Sequence, residues 1–378
     1  MTPDPAELGL RARELLNPDV YHYYAGGSGR EATLRANEKA WRRVQLRPRI
    51  LRDVSAVDTS ADVPGWAGHL RTPLAVAPTA FQRLAHPDGE VAAAAGAARA
   101  GALYVLSTRS TRKIEDVAAA CSDEGGTWWF QVYLMRDREL TIRLVRRVAA
   151  AGAQALVLTA DTPVVGRKRR NEREIVSDAD FLVNLGQVAD PDAAMLASDL
   201  SFADIGWLAE ISGGLPVVVK GVLRPDDATA CMAYGAAGVV VSNHGGRQLD
   251  GAVPTAWALP GVAAAVREPP AGSVPADGLV GVDGGIRAGQ DALAALALGA
   301  QLVFLGRPAL WALTCGGADG VQALLEGFTS DLEHVMALAG ASRLAELAGL
   351  AVAALPAGPA PPTGPPLPGT HSRHTVEW

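Results

Sequence analysis

From residue 74 to residue 308 the chain repeats one pattern: a short continuous apolar run, a polar or glycine-rich turn, then an alanine-rich stretch with helical spacing. The apolar runs are LAVAPTA (74–80), LYVLS (103–107), WWFQVY (128–133), ALVLTAD (155–161), PVVVKGV (216–222), GVVVSN (238–243), GLVGVDGG (278–285) and LVFLGRP (302–308). Short runs without polar alternation read as strands covered on both faces. Stretches between them, such as ELTIRLVRRVAAAG and RPDDATACMAYG, are amphipathic, and several close on a Gly-Ala or Ala-Gly pair that suits a helix C-terminus. Eight strands alternating with helices predict an α/β fold with a parallel sheet, and eight is the number that closes a (β/α)8 TIM barrel. A doubly wound open sheet competes with this, but it usually carries a glycine-rich phosphate turn after its first strand. Here that strand runs into PTAFQRLAHPDGE, with no G-x-G-x-x-G.

Three regions fall outside the repeat. Residues 1–73 include a helical start and YHYYAGGSGREATLRAN, which predicts a lid or plug over one barrel end. Residues 162–203 form a long loop after the fourth strand, opening with the charge run GRKRRNERE; loops of that length are usually functional or disordered. Residues 355–378, rich in proline and glycine, predict a disordered tail. The expected organisation is one barrel domain, 1–354 with its N-terminal lid, followed by the tail 355–378.

Composition narrows the class. With 378 residues, 49% of them hydrophobic, the chain can bury a sizeable core. A net charge of −6 and the absence of a long basic block argue against a nucleic-acid partner. Apolar stretches such as ALAALALGA fall well short of the roughly 20 residues that span a bilayer, and MTPDPAELGL does not read as a signal peptide, so no membrane partner is expected. Cys121, Cys231 and Cys315 are odd in number and lack metal spacing, which fits buried thiols in a cytoplasmic protein better than disulfides or a metal site.

In this fold the reactive groups sit where strands end. Those ends carry Pro78, Thr79 and Ala80, then Ser107, then Gln131 and Tyr133, then Thr159 and Asp161, Lys220, Ser242 and His244, Asp283, Gly284, Gly285 and Arg287, and finally Gly306 and Arg307. A single strand-end Ser or Asp is most often a helix cap, but eight such ends would converge on one cavity. DGGIRAG and GRP offer glycine amides and two guanidiniums, Arg287 and Arg307, where barrels commonly bind phosphate; a salt bridge to a surface carboxylate is the plain alternative. In SNHGGRQLDG, His244 with Asp161 as its orienting carboxylate makes a general base, and Arg247 makes a fork for a substrate carboxylate. The paired glycines allow a sharp turn and close approach to a flat ligand. Lys220 supplies a fixed positive charge of the kind that stabilises a reduced flavin. Base, clamp and cation together describe oxidation of a 2-hydroxy acid.

SNHGGRQLDG, YYAGG, PTAFQRLAHPDGE, FQVY, LTADTP, VVVKGV, VDGGIRAG and LGRP, in this order, resemble the FMN-dependent 2-hydroxy acid oxidase and dehydrogenase family, which includes glycolate, lactate and mandelate enzymes. The resemblance spans residues 5–350. It implies FMN across the C-terminal mouth of the barrel, its phosphate held by Gly285, Arg287, Gly306 and Arg307. It places the ring against the Pro78-Thr79-Ala80 backbone, Ser107, Gln131, Thr159, Lys220 and Ser242, with Asp283 beside it. It makes His244 the base, Asp161 its partner and Arg247 the carboxylate anchor, with Tyr23 and Tyr133 hydrogen-bonded to the substrate. Whether the α-hydrogen leaves as a proton or a hydride, His244 takes a proton. Ala80 implies oxygen as electron acceptor and peroxide as product, because alanine is frequent there in the oxidases and glycine in several dehydrogenases. Tetramers are common among such proteins, so a homo-oligomer is expected.

Two positions depart from the family pattern. The family often has an aromatic or uncharged residue where STRST places Arg109, and usually a second arginine where GRKRR places Lys168. If both face the substrate, it is expected to carry a second polar or anionic group, or to be larger than glycolate; an Arg109 turned into solvent, saying nothing of the substrate, is the plain alternative. A biosynthetic relative acting on a mandelate or a modified peptide is the alternative; Arg247, which calls for a free carboxylate, speaks against the peptide. A flavin-binding protein without turnover and a flavin-free phosphosugar barrel are the other classes weighed, and the complete set of His244, Asp161, Lys220 and Arg247 disfavours the first.

Overall fold

All eight predicted strands form in a computed structural model, which describes residues 4–63, 68–168, 183–185, 194–267 and 278–352. They are β1 (Leu74–Val76), β2 (Leu103–Ser107), β3 (Trp128–Val132), β4 (Leu156–Thr159), β5 (Val217–Val222), β6 (Gly238–Val241), β7 (Leu279–Val282) and β8 (Leu302–Leu305). They close into one barrel in the ring order β7–β8–β1–β2–β3–β4–β5–β6, and every neighbouring pair is parallel. The chain is a (β/α)8 TIM barrel. Several strands run two to four residues shorter than the apolar runs, because residues such as Asp161 and Asn243 belong to the turns beyond them.

Helices α1 (Pro5–Leu15), α2 (Pro18–Ala25) and α3 (Ala32–Trp41) precede the barrel. Around it lie α4 (Glu90–Arg99), α5 (Ile114–Ser122), α6 (Arg138–Ala150), α7 (Ala203–Ile211), α8 (Pro225–Ala233), α9 (Thr255–Arg267), α10 (Gly289–Ala297) and α11 (Arg307–Leu338), the last kinked at Gly317. Local chemistry sets their ends. Asp137 caps α6 by accepting from the Glu139 amide at 2.9 Å, and Pro225 opens α8, where a missing N–H costs nothing. Leu140, Leu144, Val145 and Val148 bury one face of α6 against the sheet.

Inside the barrel, alternate residues point inward. Ala75, Leu103, Val105, Trp129, Ala155, Val157, Val218, Val240, Leu279, Leu302 and Phe304 form a single apolar cluster there. The N-terminal region serves both barrel ends. A short antiparallel ribbon, Ala61–Val63 with Gly68–Leu70, adds Val63 and Leu70 to the interior cluster. Helices α2 and α3 instead cover the mouth where the strands end. The expected tail 355–378 lies outside the described residues, as does most of loop 162–203. Among the described residues no helix is long and apolar enough to cross a membrane. Cys121, Cys231 and Cys315 are free thiols, and burial pushes the first two up to about 12.

Candidate active site

The inward alternation that buries Val105, Trp129, Val157, Val218 and Val240 continues two residues further to Ser107, Gln131, Thr159, Lys220 and Ser242. Parity alone therefore aims the strand ends at the same place, and register sets neighbours: Ser107 pairs with Gln131, and Thr159 with Lys220. A cleft of about 290 Å³ opens there. Its walls include Pro78, Thr79, Ala80, Ser107, Gln131, Thr159, Lys220 and Asp283 on the barrel side, and Gly285, Arg287, Gly306 and Arg307 at the β7 and β8 exits. Tyr23, Arg109, Tyr133, Lys168, His244 and Arg247 also line it, together with apolar groups such as Phe81, Val165 and Leu196. Ser242 and Asp161 stand just behind this lining.

His244 Nδ1 lies 2.9 Å from Asp161 Oδ1. An ionised carboxylate only accepts, so Nδ1 carries the proton and Nε2 is left as the basic nitrogen. Thr162 Oγ1 also donates to Asp161 Oδ1, at 3.1 Å, while Asp161 Oδ2 is buried with no partner among the described residues. Burial raises the affinity of Asp161 for a proton, but the charges of His244 and Lys220 and the bonds from His244 and Thr162 outweigh it, so its pKa lies below the usual value. Gly221 makes room for this carboxylate. It sits at a register shift in β5 with φ 110°, and a Cβ there would come within 2.6 Å of Asp161 Cβ.

The turn after β6 holds three successive left-handed residues: His244 (φ 56°), Gly245 (φ 61°) and Gly246 (φ 76°). Such a conformation is costly for histidine and costless for glycine. Only part of the expected glycine role appears. Gly245 lines the cleft, but Gly246 faces α3, where a Cβ would lie 2.6 Å from the Leu34 nitrogen. Gly246 is small for a helix rather than for a ligand.

Lys220 Nζ donates to Ser242 Oγ at 2.8 Å and pairs with Asp283 Oδ2 at 3.0 Å. Burial disfavours its charge, yet Asp283 and Asp161 more than compensate, so Lys220 is held protonated above its ordinary range. Gln131 links three strand ends: its Oε1 accepts from Ser107 Oγ at 3.1 Å, and its Nε2 donates to Thr159 Oγ1 at 3.0 Å.

At the β7 and β8 exits, Arg287 donates to Glu38 Oε1 at 2.8 Å, so the plain alternative of a salt bridge is realised at a residue that also lines the cleft. Arg307 donates to the carbonyls of Tyr24, Gly26 and Gly245, each at 3.0 Å. Burial, then the positive charges of Arg247 and Arg287, push its pKa down to about 9. Helix α11 starts at Arg307 without a side-chain cap, so its first amides and this cation suit an anion.

Arg247 Nη1 donates to the carbonyls of Tyr23 (2.7 Å), Gly26 (3.1 Å) and Tyr24 (3.3 Å), at the C-terminal end of α2. The Tyr23 ring carries Arg247 Cζ at 5.1 Å and Lys168 Nζ at 4.5 Å from its centroid. Arg109 Cζ stands 5.8 Å from the Tyr133 centroid, so it turns toward the cleft wall. Burial pushes the Tyr133 hydroxyl up, and Arg109 opposes that shift.

Several supports escape motif reading. Asn37 and Asn243 exchange reciprocal amide bonds of 2.8 and 2.7 Å, tying α3 to the β6 exit. Asp250 accepts from the Arg30 and Thr33 amides at 2.7 and 3.0 Å and so caps α3, which its own preceding residue Glu31 does not. Tyr24 donates to the Phe81 carbonyl at 2.6 Å. The signal in each was a polar residue inside an otherwise explained motif.

Known proteins resemble this chain in sequence and fold. A family model described as FMN-dependent dehydrogenase matches residues 12–354. An L-lactate oxidase from Nostoc sp. is 42% identical over 353 residues, covering 89% of this chain and 94% of that protein. A 4-hydroxymandelate oxidase from Amycolatopsis orientalis is 42% identical over 348 residues, with the same coverage of 89% and 94%. A crystal structure of mandelate oxidase superposes with a TM-score of 0.81 at 41% identity, covering 91% of this chain and 96% of that one. The chain therefore belongs to the FMN-dependent dehydrogenase family, as an oxidoreductase of its 2-hydroxy acid oxidase group that uses FMN on CH–OH donors.

Proposed function

We propose that this protein oxidises an (S)-2-hydroxy acid to the 2-oxo acid and passes the electrons to oxygen, giving hydrogen peroxide. One observation carries the reading: a histidine base held by a carboxylate and a guanidinium clamp leave the same strand end three residues apart, both on the cleft wall.

The chain's own groups suit FMN. Arg307 and Arg287 with the uncapped start of α11 offer positive charge and amides to a phosphate. The row Ser107, Gln131, Thr159 and Lys220 offers donors and acceptors to a flat polar ring, and the buried Asp283 Oδ1 has no partner among the described residues. Pro78, Thr79, Ala80, Gly285 and Gly306 complete that contact surface, and Ser242 supports Lys220 from behind it. FMN supplies a two-electron acceptor. Lys220, kept charged by Asp283, would offset negative charge that the bound ring takes up.

The rest follows from the side chains. Arg247 receives the substrate carboxylate, with Lys168 beside it as a point charge. Tyr23 and Tyr133 bound the reacting carbon and donate to its oxygens. Oxidation removes two electrons and two protons from the C–H and O–H of the alcohol carbon. His244 Nε2 takes one of those protons, and Asp161 stabilises the imidazolium that results. Ala80 on the cleft wall, together with relatives named as oxidases, supports oxygen as acceptor.

The test is anaerobic bleaching of the flavin absorbance by a panel of aliphatic and aryl 2-hydroxy acids, followed by peroxide release under air. An S-acid that bleaches the flavin and then yields stoichiometric peroxide is the expected result. Turnover with an artificial dye but no peroxide under air would replace oxygen by another acceptor. No bleaching by any acid would end the proposal.

A further inference from the structure

We infer that the substrate is a 2-hydroxy dicarboxylic acid, with one carboxylate on Arg247 and the second on Arg109. The inference rests on the reading of the cleft as a 2-hydroxy acid site. Arg247 follows β6 and Arg109 follows β2, and in the closed ring these strands stand four places apart, on opposite sides of the barrel. The two guanidiniums therefore address one cleft from facing walls.

Arg109 is firmly mounted. Its amide donates to Ser107 Oγ at 3.2 Å, and its carbonyl accepts from the Phe81 amide at 3.0 Å. Behind this wall the fully buried Glu90 accepts from the Gln82 amide at 3.0 Å and the Thr111 amide at 2.9 Å, fixing the β1 and β2 exits to each other. The guanidinium then lies against the Tyr133 ring, whose hydroxyl is within electrostatic reach of Asp161, Lys220 and Tyr23. Tyr133 thus bridges Arg109 and the reacting end of the cleft.

An apolar substrate tail offers this cation no acceptor, whereas a carboxylate matches the planar guanidinium fork in shape and charge. The lactate, mandelate and glycolate named for the relatives each have a single carboxylate. In the reaction, C2–H and its hydroxyl lose two electrons and two protons, which bound FMN would accept and oxygen would carry off as peroxide, and the distal carboxylate leaves unchanged on a 2-oxo dicarboxylate.

The holoenzyme is to be reduced anaerobically with (S)-malate and (S)-2-hydroxyglutarate, and with (S)-2-hydroxybutyrate and (S)-2-hydroxyvalerate as chain-matched acids lacking the second charge. Lactate and mandelate complete the panel. For the better dicarboxylate, kcat/KM should exceed its matched acid by at least about tenfold. Arg109→Leu should lower that ratio by about tenfold or more, and Arg109→Lys should restore part of it. Perturbation of the oxidised flavin spectrum by succinate and glutarate against butyrate and valerate gives the same comparison without turnover, and decides the matter if the leucine variant does not fold. A wild-type ratio at or below one, or a preference for dicarboxylates that Arg109→Leu leaves intact, overturns the inference while the 2-hydroxy acid reading stands. Failure of every acid to bleach the flavin overturns both.

Discussion

The two halves of the barrel interior use the same strands and opposite chemistry. In the lower half Leu103, Val105, Trp129, Val157, Leu302 and Phe304 pack into a dry layer closed by Val63 and Leu70 of the ribbon. In the upper half the same inward positions become Ser107, Gln131, Thr159, Lys220 and Ser242, and the cover is helical and polar. The lower layer satisfies itself by packing. The upper layer holds a histidine at φ 56°, a cation held by carbonyls, and the two buried carboxylate oxygens Asp161 Oδ2 and Asp283 Oδ1 without partners among the described residues. Strain and unmet polar groups are what a site keeps for its ligands, and the apolar layer beneath offsets their cost.

The sharpest way to break this contrast is to mutate one residue in each half. His244→Asn should cut turnover by about 10²–10⁴-fold, the usual worth of a general base. Stability should change far less than turnover, the cost being limited to the lost bond to Asp161 because asparagine also tolerates the left-handed backbone. Trp129, fully buried in the lower layer, should show the converse. Trp129→Ala should cost about 3–5 kcal/mol in denaturant unfolding while flavin reduction in the folded fraction keeps its rate. A stable, inactive Trp129 variant would mean that the halves are not separable.

Most of this division was legible in the sequence, because strand parity and the abrupt change from apolar to polar residues are both local. The eight strands, the converging ends and the His244–Asp161 pair followed from that. What escaped was made by contacts distant in sequence. Asp250 looks like part of the site motif yet caps a helix more than 200 residues earlier, and Asn37 bonds Asn243 across a separation of 206. Gly246 likewise answers to Leu34, and Arg287 found Glu38, a residue no pattern singled out. The N-terminal region was expected over one barrel end and covers both, since its helices are amphipathic enough to announce themselves while a three-residue ribbon is not.

A smaller effect sharpens where the halves meet. Gly221 lies on the strand that carries Val218 of the packed layer, and its Cα abuts the Asp161 side chain. Gly221→Ala places a methyl at φ 110° and 2.6 Å from Asp161 Cβ, so it should cost about 1–3 kcal/mol of stability. It should also slow flavin reduction more than it weakens substrate binding, because His244 loses its orienting partner. Equal losses in kcat and in affinity for a non-oxidisable acid would instead assign Gly221 to the cleft's shape alone.

The smallest expected effect is in the acid limb of stability. Asp161 binds protons less readily in the folded protein than its ordinary value of 3.8 implies, burial being outweighed by His244, Lys220 and Thr162. A carboxylate with a depressed folded pKa contributes stability that is complete above the unfolded value and is lost as pH falls through the folded one. Wild type should therefore lose stability more steeply than Asp161→Asn below about pH 4. Urea unfolding followed by Trp fluorescence at half-unit steps of pH reads this directly. A mutant whose acid limb matches the wild type would mean that the partners around Asp161 do not hold its charge, and that the upper half is less sharply set apart from the lower than its geometry implies.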